Sequence, residues 1–98
     1  MYAALTRRKA DPARQAERAA RAEQEFLPRL RNAPGFVAFY VVQETPDMTV
    51  AFMVWESQRH AEAFQQEAAD WPQTLEQMGS SAVSRSAGDV LLHTTANP

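Results

Sequence analysis

Two segments of this chain constrain its fold more than anything else in it. Residues 36–43 read Phe-Val-Ala-Phe-Tyr-Val-Val-Gln, and residues 49–55 read Thr-Val-Ala-Phe-Met-Val-Trp. Both are β-branched and aromatic, and Glu44-Thr-Pro-Asp47 separates them, with a proline placed to fix φ. That pattern predicts an antiparallel hairpin. Antiparallel strands normally carry one polar face. These two strands carry apolar residues on both faces, so both faces of the hairpin must be covered. One layer of helices covers one face, and something else must cover the other.

The flanking sequence supplies the helices. Residues 2–9 have strand character. Asp11-Pro12 then opens a helix: the carboxylate caps free amides, and proline at the first helical position loses no needed donor. The helix is expected to run to about Asn32. Ala13, Ala16, Ala20, Phe26, Leu27 and Leu30 define its buried face, and Pro28 kinks it or breaks it in two. Ser57 caps a second helix whose stripe is Ala61, Phe64, Ala68, Trp71, Leu75 and Met78. Pro72 divides that segment into a helix ending near Asp70 and a short one closing at Gly79. Residues 80–87 read as a loop. Residues 90–95, Val-Leu-Leu-His-Thr-Thr, read as the last strand.

The order strand, helix, strand, strand, helix, strand is the split βαβ pattern of a ferredoxin-like α+β fold. Residues 1–98 then make one domain with a four-stranded antiparallel sheet and helices on one face. The apolar second face marks an interaction surface. Its simplest cover is the same face of another copy, so the expected partner is a second chain in a face-to-face homodimer.

Composition removes several functions. The chain has no cysteine, hence no disulfide and no thiolate chemistry. No apolar run approaches the roughly 18–20 residues of a membrane span. Tyr2-Ala-Ala-Leu5 precedes the charges Arg7-Arg8-Lys9, the reverse of a secretory signal. A cytoplasmic protein without a membrane partner is expected. Residues 1–34 carry eight basic and four acidic side chains, against two and eight in residues 35–98. The basic half is either a patch for an anion or a solvated helix face with i,i+4 pairs such as Arg21–Glu25. No aromatic-interleaved basic motif accompanies it, so nucleic acid is not an expected partner.

Several stretches carry a family resemblance. Leu27-Pro-Arg-Leu-Arg-Asn-Ala-Pro-Gly-Phe36, Phe39-Tyr-Val-Val42, Phe52-Met-Val-Trp-Glu-Ser57 and Ala61-Glu-Ala-Phe64 resemble the antibiotic biosynthesis monooxygenase-like family of dimeric α+β barrels. Ala87-Gly-Asp-Val-Leu91 fits its last strand, so the likeness spans nearly the whole chain. It implies oxygenation of a small aromatic or quinone-like compound without a cofactor. Monooxygenase members use a tryptophan on the third strand, which matches Trp55. Many pair it with an asparagine, which haem-degrading members supply from the first strand. Residues 2–9 contain no asparagine, and Thr6 is their only small polar group. Haem-degrading members also carry a histidine ligand on the second helix. His60 follows Trp55 by five residues, closer than that pattern has it.

Each candidate has a functional and a structural reading. Trp55 orients an aromatic substrate, or anchors the second helix in the core. By alternation it shares a face with Met53 and Ala51, opposite Val50, Phe52 and Val54. Tyr40, placed by alternation with Phe36, Ala38 and Val42, donates to a developing oxyanion or is core with its hydroxyl at the rim. His60, in the first turn of the second helix, is a general base or a surface residue beside Arg59. His93 reads as an edge or interface group. Two histidines without a third ligand make no metal site. Thr6, Phe26, Met53, Phe64 and Trp71 are the expected lining of a ligand pocket, or core. An open cavity with a convergent polar group near Trp55 marks an enzyme. Filling of that space by Phe26, Phe64 and Trp71 marks a non-catalytic module that binds a small hydrophobic ligand or only a partner.

Overall fold

A computed structural model describes residues 1–97. Four strands, β1 (Tyr2–Ala10), β2 (Phe36–Thr45), β3 (Met48–Trp55) and β4 (Ser80–Asp89), form one antiparallel sheet in the order β2-β3-β1-β4. The helical segments α1 (Gln15–Arg21), α2 (Leu27–Arg31), α3 (Gln58–Glu67) and α4 (Trp71–Gln77) supply the crossovers. This is the ferredoxin-like α+β arrangement. The hairpin forms as expected, with Pro46 and Asp47 as its turn. Among the described residues no helix is long and apolar enough to cross a membrane.

The first helical segment does not break at Pro28. Asp11 accepts the Ala13 N–H at 3.0 Å, a short tight turn follows at Pro12–Arg14, and α1 and α2 continue through one wide turn at Ala22–Phe26. In that turn the Leu27 N–H bonds to the Ala22 carbonyl, five residues back. Widening the ladder just before the proline accommodates its ring and its missing donor without ending the helix.

The buried stripe of this segment also differs from the expected one. Ala13, Ala16 and Ala20 are exposed, while Arg18, Phe26 and Leu30 are buried. Arg18 faces inward because it has a task there. Its guanidinium donates to the Met78 carbonyl and to Gln15 Oε1, each at 3.0 Å. Arg14 donates to the Gln77 carbonyl at 3.1 Å, and Arg8 to the Ser80 carbonyl at 3.2 Å. Arg14 and Arg18 thus meet the carbonyl end of α4, where free acceptors and the helix dipole both favour cations, and Arg8 reaches the start of β4 just beyond. Arg14 also pairs with Glu17, and Arg21 with Glu25, each at 2.6 Å on the helix face. Replacing Arg18 with methionine leaves the Met78 carbonyl buried without this donor. We expect a loss of about 1–3 kcal/mol, read as a lower urea midpoint. An unchanged midpoint contradicts the capping role.

The last strand is displaced from its expected place. Residues 80–89 pair with β1 along its whole length, and residues 90–95 form no strand. Ser80–Asp89 is an edge strand rich in serine and alanine, held by backbone bonds rather than by apolar side chains. Val90 donates to the Met1 carbonyl at 2.9 Å, where β1 runs out.

Register sorts the side chains into rows. Tyr2–Trp55–Phe36, Ala4–Met53–Phe39, Thr6–Ala51–Val41 and Arg8–Thr49–Gln43 cross the helix-facing side. Ala3–Val54–Ala38, Leu5–Phe52–Tyr40 and Arg7–Val50–Val42 cross the open side. Phe36 does not share a face with Tyr40. A bulge between Phe36 and Ala38 inserts Val37 and turns Phe36 toward the helices.

Candidate functional site

Trp55 ends β3 on the helix-facing side and is 1% exposed. Ser57 then caps α3, its Oγ accepting the His60 N–H at 3.3 Å, and this start aims Phe64 back at the indole. The Trp55 and Phe64 rings lie 5.1 Å apart, and Phe36 meets Trp55 edge-on at 5.6 Å. Phe26 stacks on Trp71 at 4.9 Å and meets Phe64 edge-on at 5.8 Å. Leu30, Ala68 and Met78 complete the buried cluster, and Met53 packs against it. Of the residues singled out in the sequence, Trp55, Phe26, Phe64, Trp71 and Met53 therefore come together. They pack ring against ring, and no buried polar side-chain atom among the described residues lacks a partner.

The other candidates lie elsewhere. Thr6 is on the same side as Trp55, two rows along, between Arg85 and Ala51. Tyr40 is on the opposite side of the sheet and 63% exposed. His60 sits over Gly35, and its Nδ1 is 2.8 Å from Ser57 Oγ. Ala33, Pro34, Ala63, Phe64 and Glu67 join it around a hollow of about 80 Å³. His93 lies in the segment after β4. Trp55, Tyr40 and His60 do not converge within one chain.

Sequence reading named Thr6 as lining and put Ala51 on the face of Trp55, but missed that Val41 joins them in one helix-facing row and missed the neighbouring row Arg8–Thr49–Gln43. Val41 is 52% exposed although it shares the side of Phe39, which packs on the cluster. The helices therefore cover the aromatic end of the sheet and leave a strip of small side chains toward the hairpin turn. Arg8 borders that strip, half-buried. Desolvation pulls its guanidinium below the ordinary arginine value, partly offset by Glu76. The signal was present in the sequence as small residues, Thr6 and Ala51, at positions where the neighbouring rows are bulky.

The open side is apolar over Leu5, Phe52, Tyr40, Val54 and Val42. It carries a bidentate ion pair: Arg7 Nε and Nη2 donate to the two Glu44 oxygens, each at 2.8 Å. The pair joins β1 to β2 across Val50, which is only 6% exposed. The Arg7 guanidinium holds the Glu44 carboxyl below the usual carboxylate range. Among the described residues no three histidine or acidic side chains cluster as metal ligands.

Comparison with known proteins places this geometry. The family model for antibiotic biosynthesis monooxygenase matches residues 1–69. No curated protein sequence matches. Among solved structures, HapK from Hahella chejuensis is similar over 100% of both chains, with 16% identity and a TM-score of 0.78. The monooxygenase of the gene ActVA-Orf6 of Streptomyces coelicolor, in complex with Nanaomycin D, is 19% identical with a TM-score of 0.71, over 99% of this chain and 91% of that one. SnoaB, a cofactor-independent oxygenase from Streptomyces nogalater, is 15% identical with a TM-score of 0.71, over 94% of each chain. Identities this low carry the fold alone.

Proposed function

Because this chain belongs to the antibiotic biosynthesis monooxygenase family, we propose that it oxygenates a small aromatic or quinone-like compound without a cofactor. The substrate lies on the helix-facing strip beside the aromatic cluster. The observation that carries this placement is the exposure of Val41, 52%, on a side otherwise closed by helices.

The chemistry needs little machinery. An anthrone-type substrate loses a proton from its central CH₂, and the resulting carbanion reduces dioxygen as a carbon–oxygen bond forms. Loss of water then leaves a carbonyl, so one oxygen atom enters the product and the other leaves as water. The protein's contribution is to hold the flat ring against Met53 and Ala51 and to favour the anion. The Arg8 guanidinium, partly desolvated, stabilises negative charge on the substrate oxygen more strongly than it would in water. The Thr6 hydroxyl adds a donor. In this reading Trp55 is a wall behind the strip, and His60 is part of the α3 cap. Tyr40 belongs to the interface between two copies.

That interface is the open sheet side. Four strands at about 4.8 Å spacing and about 8 residues of length cover an area on the order of 500 Å². Two such faces together come to about 1,000 Å², about the size a biological interface has to clear. The functional unit in this reading is a homodimer.

A second reading keeps the family and removes the catalysis: a dimeric module that binds a small hydrophobic ligand. The ring packing at Trp55 favours it, because Phe64, backed by Phe26 and Trp71, fills the space beside the indole that an enzyme was expected to leave open. Oxygen uptake with anthrone- and quinol-type compounds separates the two. Uptake above the uncatalysed rate is expected, reduced at least tenfold in Val41→Arg, which blocks the strip at an exposed position. Quenching of tryptophan emission by the compounds without oxygen uptake supports the second reading. Neither response overturns both.

A further inference from the structure

Oxygenation at the strip passes through a hydroperoxide, and one side chain beside the strip is open to oxidation by that group. Met53 lies in the helix-facing row Ala4–Met53–Phe39, next to the row Thr6–Ala51–Val41. It is half-buried and packs against the aromatic cluster. A thioether is soft and polarizable, and it takes an oxygen atom to become a sulfoxide. Nothing else on the strip does so readily. The chain has no cysteine. Alkyl, hydroxyl and guanidinium groups, those of Val41, Ala51, Thr6 and Arg8, do not accept oxygen from a peroxide. The Trp55 indole is 1% exposed behind the Phe36 and Phe64 rings. The other methionines lie elsewhere. Met78 is 1% exposed in the core, and Met1 is 38% exposed at the chain terminus. Met48 pairs with Lys9 near the hairpin turn, on the open side.

We propose that Met53 is a modification site: it takes an oxygen atom from the substrate hydroperoxide, and this switches the site off. The proposal rests on the oxygenation reading and adds a limit to it. The carbanion and dioxygen give a secondary hydroperoxide once a proton is taken up. In the productive route that hydroperoxide loses water and leaves the carbonyl. In the competing route the Met53 sulfur lone pair attacks the terminal oxygen. The oxygen–oxygen bond breaks, its electron pair stays on the inner oxygen, and that oxygen takes the hydroxyl proton. The thioether is oxidised by two electrons to the sulfoxide, and the hydroperoxide is reduced to the secondary alcohol. No further oxidant is needed. The sulfoxide is polar and chiral where the thioether was apolar and flexible. It stands beside Phe39, its cross-strand neighbour, in the wall that holds the substrate ring. Oxygen uptake therefore falls as turnovers accumulate.

The test follows the full chain through turnover of an anthrone-type compound, with catalase present to remove free hydrogen peroxide. Oxygen uptake is recorded, and peptide mass spectrometry locates added oxygen on each methionine. The expected result is at least fivefold more sulfoxide on Met53 than on Met1 or Met48, rising in step with the loss of uptake. Met53→Leu nearly keeps the side-chain volume. It should hold its own initial rate, whatever that rate is, for at least fivefold more turnovers. The sulfoxide map of the parent chain decides the site whether or not Met53→Leu folds. Sulfoxide as abundant on Met1 and Met48 as on Met53 overturns the proposal, because it reports peroxide in bulk solution. Uptake that leaves Met53 unmodified also overturns it and leaves the oxygenation standing. Met53→Leu losing uptake as fast as the parent overturns the switch. A chain that takes up no oxygen overturns the oxygenation reading and this one with it.

Discussion

Trp55→Ala is expected to cost about 3–5 kcal/mol, the range for deleting a large buried aromatic side chain. The indole is 1% exposed and lies between Phe36 at 5.6 Å and Phe64 at 5.1 Å. Phe64 in turn meets Phe26, which stacks on Trp71. Removing the indole therefore leaves a cavity at the joint between β2, β3 and α3. Domains of this size are stable by about 5–15 kcal/mol in total, so the variant should be marginal at 25 °C. Trp55→Phe keeps a ring in the gap and should lose about half as much. Urea unfolding followed by circular dichroism measures both. A Trp55→Ala chain that stays within about 1 kcal/mol of the parent but loses oxygen uptake would mean the indole faces a substrate, contrary to its place in the core.

The second large effect comes from Gly35. Its φ is +76°, a conformation that costs an L-residue about 1–2 kcal/mol. Its open side is also occupied: a Cβ there would lie 2.6 Å from both Cδ2 and Nδ1 of His60. Gly35→Ala must strain the backbone and also push the imidazole off Ser57 Oγ, now 2.8 Å from Nδ1. We expect a loss of about 2–4 kcal/mol for the two together. The components separate in a double-mutant cycle. His60→Ala in the Gly35→Ala background should recover the steric part and leave the φ part. Additive losses, with no recovery, would show that the ring does not rest on Gly35. The contact also explains why His60 is fixed as part of the turn between α2 and β2 instead of reaching toward Thr6.

How much of this was legible in the sequence depended on what held each element in place. The hairpin was legible because β2 and β3 are made by apolar side chains, which leave a pattern. So was α3, where Ser57 and the stripe of Ala61, Phe64 and Ala68 agree with the structure. β4 left no pattern, because Ser80–Asp89 is held by its backbone ladder to β1 and exposes nearly all of its side chains. Residues 90–95 looked like the strand that β4 is, because composition reports strand preference and not the presence of a neighbour to pair with. The first helical segment was misphased for a related reason. Arg18 is buried by hydrogen bonds to carbonyls at the end of α4, a tertiary demand that no hydrophobic period records. At the candidate site the aromatic cluster was legible, and the sides of the sheet were not. One inserted residue, Val37, put Phe36 with Trp55 and left Tyr40 on the other side. Thr6 was singled out and Ala51 placed on the right face, but Val41 escaped notice, because its exposure depends on where the helices end and not on its type.

Rings fill the space around Trp55, so the proposed substrate binds beside the cluster and not at the indole. Acrylamide quenching of tryptophan fluorescence tests this directly, since Trp55 and Trp71 are the two tryptophans of the chain and are 1% and 8% exposed. Blue-shifted emission is expected, with quenching at least several-fold weaker than for free tryptophan. Emission near that of free tryptophan from a folded chain, with quenching close to the free rate, would place an indole in an open pocket and rule out the filled core.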